Sequence, residues 1–170
     1  MDQEDAMIVG RSRRTSSMAN IPFGRFTENA QQALALAQLE AERADHSAVW
    51  SEDLLLGLQR VETGRAAKAL TKLGVHINMV RSRIDAMPNR SDGRGVREGQ
   101  PTSRTRAVIG VAFDEANTSS SSHVGTGHLL RGLLIESESI AAQIFRDLGV
   151  SLQEVIQELE SKPKDEGPDD

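Results

Sequence analysis

One helical unit occurs twice in this chain, in register and without a gap. Residues 27–85 match residues 102–160 at a constant offset of 75. Leu54-Leu55-x-Gly57-Leu58 reappears as Leu129-Leu130-x-Gly132-Leu133. Ala66-Ala67 returns as Ala141-Ala142, and Leu73-Gly74-Val75 as Leu148-Gly149-Val150. Repeats of this kind are supersecondary units that bury their apolar faces against a copy. The shared positions are mostly apolar or glycine, so packing is what has been duplicated. Two pseudo-equivalent halves suggest a compact scaffold with paired surfaces more than a single deep catalytic cleft.

The unit reads as helical. Four Phe, one Trp and no Tyr leave a core of Leu, Ala, Ile and Val, which suits closely packed helices better than a sheet sandwich. Thr27 is a good N-cap, with Glu28 placed against the helix dipole. Ala30, Ala33, Leu34, Ala37 and Ala41 then recur at helical spacing, an alanine face that a neighbouring helix can approach closely. Ser51 is the expected cap of the second helix, whose core residues are Leu54, Leu55 and Leu58. The third runs through Ala66, Ala67, Leu70 and Leu73 and stops at Gly74 in the left-handed conformation. The fourth carries Ile77, Val80, Ile84 and Met87 and ends at Pro88. In the second copy Thr102 and Thr126 take the capping places of Thr27 and Ser51, Gly149 that of Gly74, and Ser151-x-x-Glu154 forms a capping box. The expectation is an all-α fold of eight helices in two pseudo-two-fold four-helix repeats.

Residues 1–20 read as a disordered tail, 21–162 as the folded domain and 163–170 as a disordered acidic tail. Within the domain, repeat 1 covers about 23–88 and repeat 2 about 102–162. Between them, 88–101 reads as a linker carrying Gly93, Gly95 and Gly99. A net charge of −5, with no basic face interleaved with aromatics, argues against nucleic-acid binding. The absence of cysteine excludes disulfides, thiol catalysis and Cys-based zinc sites. No apolar run reaches the length of a membrane span. Asp2, Glu4 and Asp5 stand where a signal peptide would be basic, so the reading is cytoplasmic. His46, His76, His123 and His128 form no metal-ligand spacing, and Ser119 to Ser122 read as a polar loop. No cofactor, metal or catalytic group is expected.

Two motifs then carry a resemblance. Phe23-Gly24-Arg25-Phe26-Thr27-Glu28-x-Ala30-Gln31, followed by Leu34-Ala35-Leu36-Ala37-Gln38, resembles the opening of the ClpC N-terminal domain. Val124-Gly125-Thr126-x-His128-Leu129-Leu130-x-Gly132-Leu133 is similar to that family's second-repeat segment, I/V-G-T-E-H-L-L-x-G-L. The resemblance covers residues 23 to about 160. No Gly-x-x-x-x-Gly-Lys-Ser/Thr loop is present, so the chain reads as a free-standing Clp N-domain without an ATPase module. The resemblance implies a non-enzymatic domain that docks adaptors, substrates, arginine-phosphorylated proteins and Clp-directed cyclic peptides. Its partner would be a ClpC-type unfoldase or Clp protease complex, served as adaptor or decoy. The alternative is an accessory structural subunit on the proteolytic core.

The loop entering the second helix of each repeat is the sharpest candidate site. A helix N-terminus holds phosphate, and a carboxylate beside it takes a guanidinium in a forked pair. In the family, the glutamate of G-T-E-H binds phosphoarginine. Repeat 1 reads Trp50-Ser51-Glu52-Asp53, keeping the hydroxyl and the glutamate; repeat 2 reads Gly125-Thr126-Gly127-His128 and lacks the glutamate. Thr27, Trp50, Ser51, Glu52 and Thr126 are therefore the anion or phosphoarginine candidates, with repeat 2 weak or lost. Trp50 either stacks on a ligand or plugs the site. Phe23, Arg25 and Phe26 are the peptide candidates; the family's matching phenylalanine lies in the cyclic-peptide pocket. Helix capping by Ser51 and Thr126, and a hydrophobic staple by Phe26, are the purely structural alternatives, with Phe23 expected to be the exposed ring.

Overall fold

Helical spacing in the sequence is realised throughout. The computed structural model describes residues 21–87 and 100–161; the expected tails and linker residues 88–99 lie outside this range. After a 3-10 turn at Phe23–Arg25, repeat 1 folds as α1 (Glu28–Arg43), α2 (Ser51–Arg60), α3 (Arg65–Lys72) and α4 (Ile77–Asp85). Repeat 2 follows as α5 (Ser103–Thr118), α6 (Thr126–Ile135), α7 (Ile140–Asp147) and α8 (Leu152–Glu160). Among the described residues the fold is all-α, and no helix is long and apolar enough to cross a membrane.

The alanine face does what its residues dictate. Ala30, Ala33, Ala37 and Ala41 of α1 are buried, and α2 lies against them at its Gly57. A Cβ on Gly57 would come within 2.8 Å of the Ala37 backbone nitrogen and closer still to the Ala33 carbonyl. In repeat 2, α6 meets α5 in the same way, and a Cβ on Gly132 would lie 2.5 Å from the Val108 carbonyl oxygen. Close backbone approach, not turn geometry, is what these glycines supply. Gly74 and Gly149 do the other job: at φ +78° and +72° they end α3 and α7 as expected.

The two repeats are joined by exchanged contacts. Phe26 forms an isolated parallel bridge with Val124, and Val49 forms one with Pro101. Each pairs the residue before the first helix of one repeat with the residue before the second helix of the other. The Thr27 amide donates to Val124 O at 3.0 Å, and the Thr102 amide to Val49 O at 3.0 Å. The last residues of the expected linker, Gln100 and Pro101, are thus pinned to repeat 1. The core is continuous across the pseudo-two-fold, with Leu54, Leu55 and Leu58 of α2 and Leu129, Leu130 and Leu133 of α6 all fully buried.

Candidate functional site

The loop from α1 to α2 builds the repeat 1 site. Asp45 takes a left-handed conformation, φ +56°, which aspartate tolerates better than most residues. The chain therefore doubles back, and the His46 amide donates to Ala41 O at 2.9 Å. The His46 ring then lies flat on Trp50, centroids 4.4 Å apart and planes 12° apart. His46 Nδ1 donates to Asp53 Oδ2 at 2.9 Å, while Nε2 stands 3.9 Å from Glu52 Oε1. The three side chains are 9%, 2% and 1% exposed. Burial pushes the Asp53 carboxyl above its usual range, opposed by hydrogen bonds from His46 and the Trp50 amide.

The expected caps are corrected here. Trp50 is the N-cap residue of α2, and its amide donates to Asp53 Oδ2 at 2.9 Å. Gly125 is that of α6, its amide donating to His128 Nδ1 at 3.0 Å. Ser51 and Thr126 sit one residue further on, fully buried, and cap helices of the opposite repeat. Ser51 Oγ accepts from the Ala141 amide of α7 at 3.2 Å, and Thr126 Oγ1 from the Ala66 amide of α3 at 3.1 Å. Sequence reasoning placed a hydroxyl at the wrong helix. The available signal was Asp53 and His128, each three residues after the true N-cap.

Beside Glu52 lies a polar cavity of about 420 Å³. Arg43 and Arg81 line it together with His46, Glu52 and Asp53, so opposite charges share one space. Arg81 is held bidentate by buried Glu40 at 2.9 Å to each oxygen, and Arg60 joins at 3.1 Å. The Arg81 hydrogen bond, with the charges of Arg81, Arg60 and Arg43, holds the Glu40 carboxyl below its usual range despite burial. None of Glu40, Arg43, Arg60 and Arg81 was singled out by the sequence reading. A larger groove, about 720 Å³, runs between α3 and α8 and includes Arg65, Lys68, Lys72 and Leu159. No sequence-derived candidate lies in it.

The candidate residues do not assemble into one site. Thr27 caps α1 through Ala30 at 3.2 Å, and the Phe26–Val124 bridge places it beside the α6 N-terminus of repeat 2. Trp50, Ser51 and Glu52 instead neighbour Thr102. In repeat 2, His128 caps locally and its Nε2 meets Ser119 Oγ at 3.2 Å. A Cβ on Gly127 would only touch Leu159 Cδ2 at 3.4 Å, so a first side-chain atom fits there.

The peptide candidates do meet. Phe26 is 2% exposed and packs edge-on against Phe113 at 5.3 Å. Arg25 lies over the Phe113 ring at 5.6 Å, and Phe23 is 6.3 Å from Phe26. Phe23 is half-buried against the core, less open than expected. The Gln31 amide group donates to the Phe23 and Phe26 carbonyls at 3.0 Å each, fixing the turn.

Comparison with known proteins agrees with this architecture. A family model described as the Clp repeat (R) N-terminal domain matches residues 25–102 and again 100–168. The chain is 43% identical over 140 residues to the negative regulator of genetic competence ClpC/MecB of Bacillus subtilis (strain 168), covering 81% of this chain and 17% of that protein. It is 41% identical over 152 residues to the chaperone protein ClpB of Oceanobacillus iheyensis, covering 85% of this chain and 18% of that protein. The chain thus spans less than a fifth of these relatives' length. Among solved structures, the N-terminal domain of ClpD from Arabidopsis thaliana superposes with a TM-score of 0.61 at 22% identity, covering 81% of this chain and 96% of that one. The ClpV N-domain solved in complex with a VipB peptide superposes with a TM-score of 0.62 at 13% identity, covering 82% and 92%.

Proposed function

The chain belongs to the Clp repeat N-terminal domain family, and from that premise we propose that it is a non-catalytic binding module. It captures substrates, arginine-phosphorylated proteins, adaptors or Clp-directed cyclic peptides and so modulates ClpC-type degradation as adaptor or decoy. The observation that carries the reading is the cavity beside Glu52. Carboxylates Glu52 and Asp53 and guanidinium groups Arg43 and Arg81 line it together, with Glu40 and Asp85. Phosphoarginine is a cation and an anion joined, and a pocket lined by both signs matches it: guanidinium to carboxylate, phosphate to arginine. Trp50 supplies a flat surface for stacking. Repeat 2 offers neither carboxylate, so binding is confined to repeat 1.

Trp50 is the only tryptophan and reports on the site directly. Phosphoarginine titrated against the wild-type protein changes its fluorescence saturably, and Glu52→Ala abolishes the change. Arginine and inorganic phosphate serve as controls. No fluorescence response and no heat by calorimetry would remove phosphoarginine from the reading.

Peptide capture is favoured separately by the Phe23–Phe26–Phe113 cluster with Arg25 at its edge. The ClpV N-domain, which shares the fold, was solved with a peptide. As a decoy, the protein in excess relieves a ClpC-type unfoldase from cyclic-peptide inhibition. Absence of relief at saturating protein would rule the decoy out.

A further inference from the structure

The repeat 1 pocket already contains a planar nitrogen base in the position a guanidinium would take. His46 lies parallel to Trp50 and presents its two ring nitrogens toward Asp53 and Glu52. A bound guanidinium would use the same two features, the aromatic face and the carboxylate pair. We propose that His46 is a built-in occupant of this site, and that its imidazole must swing off Trp50 before an arginine-derived ligand is seated. The proposal rests on the phosphoarginine reading given above and names how that site is regulated.

Charge supports it. Glu52 and Asp53 are adjacent and almost wholly buried, and burying two carboxylates is costly without a counter-charge. The groups around them are few. Glu40 and Arg43 face the cavity from α1, and Arg81 and Asp85 from α4. Glu40 is satisfied by Arg60 and Arg81, so its charge is spent there. His46 is in direct contact with the Asp53 carboxylate and stands 3.9 Å from Glu52. Imidazole is also the side chain whose charge changes near neutral pH. A charged His46 holds the carboxylates; a neutral one releases them.

The two repeats supply an internal comparison. Ser121, Gly127 and His128 replace His46, Glu52 and Asp53 in repeat 2. The occupant is present where the ligand carboxylate is present and missing where it is missing. The left-handed turn before the residue is common to both, at Asp45 and Ser120. Backbone geometry alone therefore does not explain the histidine.

The test measures phosphoarginine binding by calorimetry to the whole chain in three forms: wild type, His46→Ala and His46→Arg. Titrations are run near pH 5.5 and near pH 8, either side of the typical histidine midpoint of about 6.5. Wild type binds more tightly at the higher pH. His46→Ala binds about tenfold more tightly than wild type at the lower pH and loses the dependence on His46 charge. His46→Arg, a guanidinium that never deprotonates, blocks the site at both values without lowering the melting temperature. Should His46→Ala fail to fold, His46→Gln keeps the size without the charge and carries the same expectation. Equal affinity in wild type and His46→Ala overturns the gate and leaves the ligand reading standing. Weaker binding in His46→Ala makes the histidine a ligand contact and also overturns the gate. No binding in any form removes the repeat 1 site itself.

Discussion

The stretches 50–53 and 125–128 occupy the same place in the two halves and have been put to different uses. Both start a core helix, and both bury a hydroxyl that caps a helix of the other half. In repeat 1 the remaining positions became Trp50, Glu52 and Asp53; the two carboxylates line a charged cavity with His46, which stacks on Trp50. In repeat 2 they became Gly125, Gly127 and His128, and the histidine closes a local capping arrangement with Ser119. The same divergence extends one layer out. Glu40 is buried under Arg60 and Arg81, whereas the matching Glu115 pairs with Arg131 at a more open place. Ile135 and Ile156 stand where repeat 1 has Arg60 and Arg81. The pair of halves is symmetric where apolar helix faces pack and asymmetric in the polar groups around the cavity. Packing faces constrain each other through the pseudo-two-fold; pocket walls do not.

The comparison can be broken most severely at its symmetric part. Gly57→Ala and Gly132→Ala each drive a methyl group into backbone of the adjoining helix, which neither side chain rotation nor solvent can relieve. Each should cost about 3 kcal/mol, at the upper end for overpacking. Thermal unfolding of the two variants should give nearly equal losses; a large inequality would show that one helix pair yields.

The exchanged caps should differ in a defined direction. Thr126→Val leaves the α3 N-terminus with Gly64 alone, which offers no side-chain acceptor. Ser51→Ala leaves α7 with Ser139, which still accepts from the Ala142 amide. Losses of about 2 kcal/mol for Thr126→Val and about 1 kcal/mol for Ser51→Ala follow from cap energetics. Chemical denaturation measures both, and the reverse order would mean that Gly64 is not the weaker terminus.

The buried Glu40 pair can be tested by pH. Because the Glu40 carboxyl is held below its ordinary value of 4.5, the stability it contributes is full above that value. It is lost as pH falls through the lowered value in the fold. Its arginine partners are about one-third exposed, so solvent screening limits the effect to about 1 kcal/mol at neutral pH. Glu40→Gln should therefore be less stable than wild type at neutral pH and converge with it in acid. A constant difference across that range would place the loss in packing instead of charge.

Gly127→Glu is the mildest change and the most telling for the site. Its first side-chain atom fits beside Leu159, and removing a helical glycine is worth less than about 1 kcal/mol in the stabilising direction. Calorimetry with phosphoarginine should then report a second, weaker binding event. No change in stoichiometry would mean that the glutamate alone does not make a site without arginines such as Arg43 and Arg81.

Much of this was legible in one dimension. The offset of 75 predicted the doubled fold, and apolar spacing predicted each helix. Gly74 and Gly149 marked left-handed helix ends, and Ser151 with Glu154 formed the capping box expected. These features arise from interactions between residues three to five apart, so spacing along the chain contains them. The alanine face and Gly57 were likewise readable, because small residues at helical spacing permit only a close neighbour.

The tertiary structure decided the rest. Ser51 reaches Ala141 across 90 residues and Thr126 reaches Ala66 across 60, so no local rule could assign those caps. Thr27 and Glu52, both named as anion candidates, stand beside different repeat 2 segments because the bridges cross between the repeats. The stack of His46 on Trp50 depends on a left-handed turn at an aspartate, and the Glu40–Arg81 pair on how α4 docks against α1. The sequence by itself determined which segments are helices and that they come in two sets. Only the packing of one set against the other determined which polar groups were left facing each other, because that depends on distances between residues the chain order does not relate.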